Sequence, residues 1–306
     1  MPHEQRFQLL PNANVDQADI LIQPISYEET VCFRPGTSTA PAAILEAIDQ
    51  LEYYEEELDW SPMKYLWPRV LPELKPEHGE EPPDFFRRIE KSVAALPDNN
   101  LYIGLGGEHS VTPAQVEARM TSGTIVIIDA HADLRSDYRG NPWSHACPAW
   151  RLHQAGYQLI LIGIRSIFES EADLIRSNES INTWTDSVLR NPQSWTKLLD
   201  ALDRLSGPVW LSVDMDGFDP ALVPGVGTPQ PGGLNWHQAC DIVQHLVGNP
   251  DVDLRGVDLL ELIPEPSQVS QTVAAKLIQK IISRWAYPRI KDFANPQGAQ
   301  MQVDYS

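Results

Sequence analysis

Apolar residues fall along this chain in short dense blocks, separated by longer segments where they recur every three or four positions. The blocks at residues 18–22, 101–105, 124–128, 158–164, 209–213 and 254–262 predict strands. Runs that are apolar at every position suit strands covered on both faces, and so a parallel sheet rather than a half-exposed antiparallel one. Helical spacing predicts helices over 41–58, 84–95, 149–155 and 169–177. Another starts at Asn235 as N-cap and carries Trp236, Ala239, Cys240, Val243 and Val247 on one face. A last helix shows a broad stripe of Val273, Ala274, Leu277, Ile278, Ile281, Ile282 and Trp285. Six prolines between Ser61 and Pro83 break any period and predict an irregular connection. The run Glu55-Glu56-Glu57 reads as a solvated helix face, and the polar segment from Tyr287 as a loosely ordered or docking tail.

Strand and helix alternate without a repeat or a break in composition, which predicts one α/β domain over residues 1–306. Composition changes this picture little. Hydrophobic residues make up 42% of the chain, enough for a large core. The balance of 42 acidic and 23 basic residues gives a net charge of −19, which disfavours nucleic acid and anionic membranes and favours cations. Cys32, Cys147 and Cys240 are odd in number and scattered, as expected of reduced thiols in a cytoplasmic protein. No signal-peptide pattern and no apolar run of membrane-spanning length is read.

The chemistry gathers at strand ends. The block Thr124-Ile125-Val126-Ile127-Ile128 runs into Asp129-Ala130-His131-Ala132-Asp133. Residues two apart in extended backbone point the same way, so Asp129, His131 and Asp133 can address one spot. The block at 101–105 is followed by His109, and that at 209–213 by Asp214 and Asp216. Parallel strands would open all three ends on one edge of the sheet, where α/β proteins bind ligands. Two histidines and four carboxylates exceed what one zinc needs, and the oxygen-rich set suits a harder ion such as Mn²⁺. Two ions sharing bridging carboxylates would use all six, whereas four carboxylates without cations would repel one another.

These segments resemble the three signatures of the ureohydrolase family, which includes arginases and agmatinases: Gly106-Gly107-Glu108-His109-Ser110, Asp129-Ala130-His131-Ala132-Asp133 and Ser212-Val213-Asp214-Met215-Asp216. Ser144-His145-Ala146-Cys147, Asp219-Pro220, Pro224–Pro229, Gly232-Gly233 and Glu261 extend the likeness. The resemblance implies a three-layer α/β/α fold around a mostly parallel eight-stranded sheet, and two Mn²⁺ ions, with Ni²⁺ or Co²⁺ as alternatives. It implies His109, Asp129, Asp133 and Asp214 on one ion and Asp129, His131, Asp214 and Asp216 on the other. The implied reaction is hydrolysis of a guanidinium group to urea and an amine, since metal binding lowers the pKa of water from about 15.7 to about 7. Asp133 would relay a proton, His145 would match the shuttle histidine, and Glu261 would pair with the guanidinium. Family members are usually trimers or hexamers.

Arginases place Asn two positions beyond the last Asp of the second signature; here Arg135 stands there. Residues 134–141 and the Phe33-Arg34-Pro35-Gly36 loop look instead like bacterial agmatinases, which implies agmatine as substrate. Guanidinobutyrate, arginine and guanidine are the alternatives, and Arg135 would suit the anionic tail of the first. A non-catalytic metal-holding protein would not need His145 or Glu261. A dinuclear phosphoesterase would need a Gly-Asn-His run that is missing.

Overall fold

The computed structural model describes residues 13–290. Eight strands pair side by side: β1 (Ile20–Ile25), β2 (Pro68–Val70), β3 (Leu101–Gly106), β4 (Thr124–Ile128), β5 (Gln158–Ile164), β6 (Ile181–Thr185), β7 (Gly207–Asp214) and β8 (Val252–Leu260). Their order is β2-β1-β3-β8-β7-β4-β5-β6, and every pairing between them is parallel. The last strand in the sequence therefore sits in the middle of the sheet, between β3 and β7.

Alternate residues of each strand enter opposite cores, as a period of two requires. On one face Ile20, Ile22, Ile103, Val126, Ile128, Leu211 and Val213 pack with α1 (Ala40–Ile48), α7 (Pro192–Asp203), α8 (Trp236–Val247) and α9 (Val269–Ile290). On the other, Leu21, Tyr102, Ile125, Ile127 and Trp210 meet α2 (Pro82–Ala94), α3 (Thr112–Arg119) and α4 (Pro148–Gln154), with α5 (Glu169–Ser177) beside them. A short α6 (Asp186–Leu189) follows β6. The result is the expected three-layer α/β/α fold.

Three expectations are corrected. The helix expected over 41–58 stops at Ile48, and the three glutamates do not lie on a solvated helical face. Glu55 is fully buried, with the Lys280 ammonium of α9 at 2.5 Å from its Oε1 and 2.9 Å from Glu56 Oε1. A buried ammonium needs anionic partners, and this loop supplies them. The connection expected to be irregular contains β2, an edge strand too short and too flanked by proline to show a pattern. Residues 287–290 continue α9 rather than starting a tail; the rest of that segment lies outside the described residues. The sheet also gains β6, whose partly polar sequence INTWT hides it.

Candidate metal centre

Four adjacent strands, β3, β8, β7 and β4, carry the candidate residues just beyond their carboxyl ends. After β3 the chain must press against its neighbour: a Cβ on Gly107 would lie 1.9 Å from the Tyr27 carbonyl oxygen, so only glycine fits. This turn delivers His109, which is buried. Its Nδ1 lies 3.3 Å from Asp129 Oδ2, 3.3 Å from Asp133 Oδ2 and 3.4 Å from Asp214 Oδ2. Its Nε2 meets Ser212 Oγ at 3.0 Å, which fixes the ring. His131 Nδ1 lies 3.1 Å from Asp216 Oδ2 and 3.6 Å from Asp129 Oδ1.

Two groups with ligand atoms within 4.8 Å of one another result, His109–Asp129–Asp133 and Asp129–His131–Asp216, and Asp129 belongs to both. Asp214 joins neither group but touches the first through His109 Nδ1. All six residues expected to hold metal thus converge on one spot.

Backbone groups orient these carboxylates. Asp129 Oδ1 accepts the His131 N–H at 2.6 Å, Asp214 Oδ1 the Asp216 N–H at 2.8 Å, and Asp216 Oδ1 the Ala130 N–H at 3.0 Å. Thr228 donates its hydroxyl to Asp216 Oδ2 at 3.0 Å. Arg165, which sequence patterning did not single out, donates to the carbonyls of Asp216, Gly217 and Phe218 and so braces the loop after β7.

The donor set fits a pair of cations. His109 Nδ1 and Asp129 Oδ2 are buried and make no hydrogen bond, although they are close neighbours. Two polar atoms left in this way cost free energy unless something they both face satisfies them. Electrostatics points the same way. Burial, then Asp129, pushes the Asp133 carboxyl up to about 7. Burial, then Asp216 and Asp129, drives Asp214 well above the usual carboxylate range. Burial opposes charge on His131, yet Asp129 and Asp216 overcome it and hold the ring at about 12. Divalent ions would relieve this crowding of negative charge.

A cavity of about 240 Å³ adjoins the cluster. His131, Asp133 and Asp214 line it, together with Thr228, His145 and Glu261. Arg135, Tyr138 and Phe168 form another part of the wall, with the Arg135 guanidinium 4.4 Å from the Phe168 ring centroid and 5.2 Å from that of Tyr138. Asp133 and Glu261 both adopt positive φ, 50° and 61°. Such strain in non-glycine residues gathers at functional sites. At Glu261 it ends β8 and turns the carboxylate into the cavity, where Oε1 accepts the His109 N–H at 2.7 Å. Burial, then Glu108, holds the Glu261 carboxyl well above its usual range.

Some residues fall outside this chemistry. The Cys147 thiol is buried and pushed up to about 11, first by burial and then by Asp133, so it stays protonated. His153 contacts Asn178 and Ser180, and His245 pairs with Asp203 at 2.8 Å on the surface. Two residues that no sequence signal marked belong to the site's frame. Glu171 lines the cavity and accepts the N–H groups of Leu134 and Phe168, and Thr30 bonds His145.

Comparison with known proteins agrees with this geometry. Residues 18–283 match the Arginase family. The chain is 37% identical over 277 residues to the N(1)-aminopropylagmatine ureohydrolase of Synechocystis sp., covering 88% of this chain and 89% of that one. It is 30% identical to the agmatinase of Pyrococcus horikoshii, over 89% of this chain and 94% of that one. The crystal structure of the agmatine ureohydrolase of Thermoplasma volcanium superposes with a TM-score of 0.81 at 29% identity, covering 93% and 96% of the two chains. The chain therefore belongs to the arginase family, whose ureohydrolases are metal-dependent hydrolases of guanidino compounds.

Proposed function

We propose that this chain hydrolyses the guanidinium end of an agmatine skeleton, releasing urea and the matching polyamine. The sequence favours agmatine, with guanidinobutyrate, arginine and guanidine as alternatives. The similarity to a relative named N(1)-aminopropylagmatine ureohydrolase favours the aminopropyl form, which would yield spermidine, with agmatine itself as the second reading.

The observation that carries the reading is Glu261. Its half-buried carboxylate faces the cavity beside the acidic cluster and accepts the His109 N–H. A planar cationic fork satisfies such a group better than any neutral ligand. His109, Asp129, Asp133 and Asp214 would hold one Mn²⁺, and Asp129, His131, Asp214 and Asp216 the other. When bound, the ions supply Lewis acidity and make water a competent nucleophile at neutral pH.

The chain's own groups do the rest. Glu261 orients the guanidinium carbon toward the carboxylate cluster. Asp133 takes the proton of the attacking water and hands it to the departing nitrogen. His145 exchanges protons between the cavity and solvent. The same reading places the protein as a trimer or hexamer in the cytoplasm, where Cys32, Cys147 and Cys240 stay reduced.

The test is urea release by the Mn²⁺-loaded protein supplied with N1-aminopropylagmatine, agmatine, arginine, guanidinobutyrate or guanidine. Highest kcat/KM on the first or second supports the reading, and turnover of arginine alone overturns it.

A further inference from the structure

We infer that Glu108 and Thr30 form a relay that locks His145 in one tautomer, leaving its Nε2 as the proton-accepting atom offered to the cavity. The inference rests on the role of His145 proposed above and adds two positioning residues to it.

Glu108 stands one position before a metal-ligand candidate but turns away from the cluster. Its carboxylate is fully buried and takes four donors. Oε2 accepts the N–H groups of Glu29 and Thr30, both at 2.8 Å. Oε1 accepts the Thr30 hydroxyl at 2.9 Å and the Ser110 hydroxyl. The two N–H groups can only donate, and both hydroxyls point their hydrogens at Oε1, so Glu108 is the acceptor in all four bonds.

Thr30 Oγ1 has one hydrogen and two lone pairs. Three partners surround it: Glu108 Oε1, the backbone N–H of His145 at 2.9 Å, and His145 Nδ1 at 2.9 Å. Glu108 Oε1 accepts from the hydroxyl and the backbone N–H can only donate to it. The hydroxyl hydrogen therefore goes to Glu108, and one lone pair goes to the backbone. What remains is a single lone pair facing Nδ1, which must then carry a hydrogen. Neutral His145 is thereby held as the Nδ1–H form. This is the minor form of a free imidazole, so the protein has to impose it.

The consequence falls on the cavity. With Nδ1 committed to Thr30, Nε2 is the ring nitrogen open to the space that His145 lines beside Glu261 and Asp133. It arrives with a free lone pair, takes a proton there, and can release it later. Nδ1 keeps its bond to Thr30 throughout, and the Glu108 charge one hydroxyl away favours the transient imidazolium. The side-chain length at position 108 also acquires a reason. The carboxylate must span to the 29–30 segment as well as to Ser110, and that segment borders the cavity through Cys32.

The test uses Thr30, which is remote in sequence from every ligand candidate. Thr30→Val removes the hydroxyl at nearly constant shape, and Thr30→Ser restores it. With the best guanidine from the urea assay, Thr30→Val should keep its bound Mn²⁺ and its KM within about twofold. Its kcat should fall by about 10–100-fold, the range found when the outer partner of a metal-ligating histidine is removed. Thr30→Ser should return to within about threefold of the parent. Equal activity in Thr30→Val, or equal loss in both variants, overturns the relay. Nitrogen-15 spectra of full-length protein loaded with diamagnetic Zn²⁺ read the tautomer without turnover. They should report Nδ1–H for His145 in the parent and Thr30→Ser, shifting toward Nε2–H in Thr30→Val. A parent His145 in the Nε2–H form ends the proposal even where urea is released. Absence of urea from every guanidine would instead defeat the functional reading, with the spectra still deciding the relay.

Discussion

Glu261 Oε1 accepts the backbone N–H of His109 at 2.7 Å, joining the end of β8 to the turn after β3 across 152 positions of sequence. One carboxylate oxygen is thus spent on fixing the frame, while the other side of the group faces the cavity. The carboxamide of Glu261→Gln can keep that bond through its oxygen but loses the charge.

Glu261→Gln should therefore retain both metal ions and the fold. A hydrogen bond to a charged group contributes about 1.5–3 kcal/mol, so kcat/KM should fall by roughly 10–150-fold. Steady-state kinetics together with metal analysis of the same sample checks this. Loss of metal, or unchanged kinetics, contradicts a substrate-pairing role.

Asp214→Asn should behave in the opposite order. Asp214 sits 3.4 Å from His109 Nδ1 and is assigned to both ions, so its neutralisation weakens both sites. Bound metal should drop below one ion per chain at concentrations that saturate the parent, and urea release should vanish with it. A variant with two ions and full activity would refute the bridging assignment.

Away from the site, Lys280 ties α9 to the loop after α1. The ammonium is buried, and its pKa is raised because Glu55 and Glu56 outweigh the effect of burial. Lys280→Met leaves Glu55 buried without its counter-charge, which costs about 3–5 kcal/mol. Adding Glu55→Gln should recover part of that loss. Urea-denaturation midpoints of the three proteins read it directly, and a Lys280→Met protein as stable as the parent would show that the pair is dispensable.

Acid should loosen the same junction. Hydrogen bonding to Lys280 lowers the Glu56 carboxyl from 4.5 to about 2. A depressed carboxyl contributes stability that is complete above pH 4.5 and is lost as pH falls toward 2. Glu56 is more than half exposed, so solvent screening limits the effect to about 1 kcal/mol or less. Stability measured across this window should decline more steeply in the parent than in Lys280→Met; parallel curves would exclude the contact as the cause.

Legibility from sequence followed burial. β4 and β5 are apolar at nearly every position because both faces are covered, and their predicted bounds match the observed ones. Asp129, His131, Asp133, Asp214 and Asp216 were readable because two-residue spacing after such strands leaves few geometries open, and His109 because it closes the turn after another strand. β2 and β6 lie at the two edges of the sheet, where partial exposure admits proline, asparagine and threonine and blurs the period. Glu55 misled for a related reason. Three adjacent acids resemble a solvated face, and only Lys280, 225 positions away, makes one of them internal. Thr30 carries no local signature at all, since its meaning comes from Glu108 and His145, which are distant in sequence.

The central place of β8 bears on how the molecule is made. During synthesis β3 and β7 emerge well before the strand that separates them, so the middle of the sheet must stay open for its final occupant. Non-local pairing of this kind slows folding and prolongs exposure of unpaired strand edges. Glu261 follows β8, so the carboxylates and histidines after β3, β4 and β7 precede it in synthesis. On the proposed function, the substrate-pairing carboxylate is therefore in place only once the sheet has closed around its last strand.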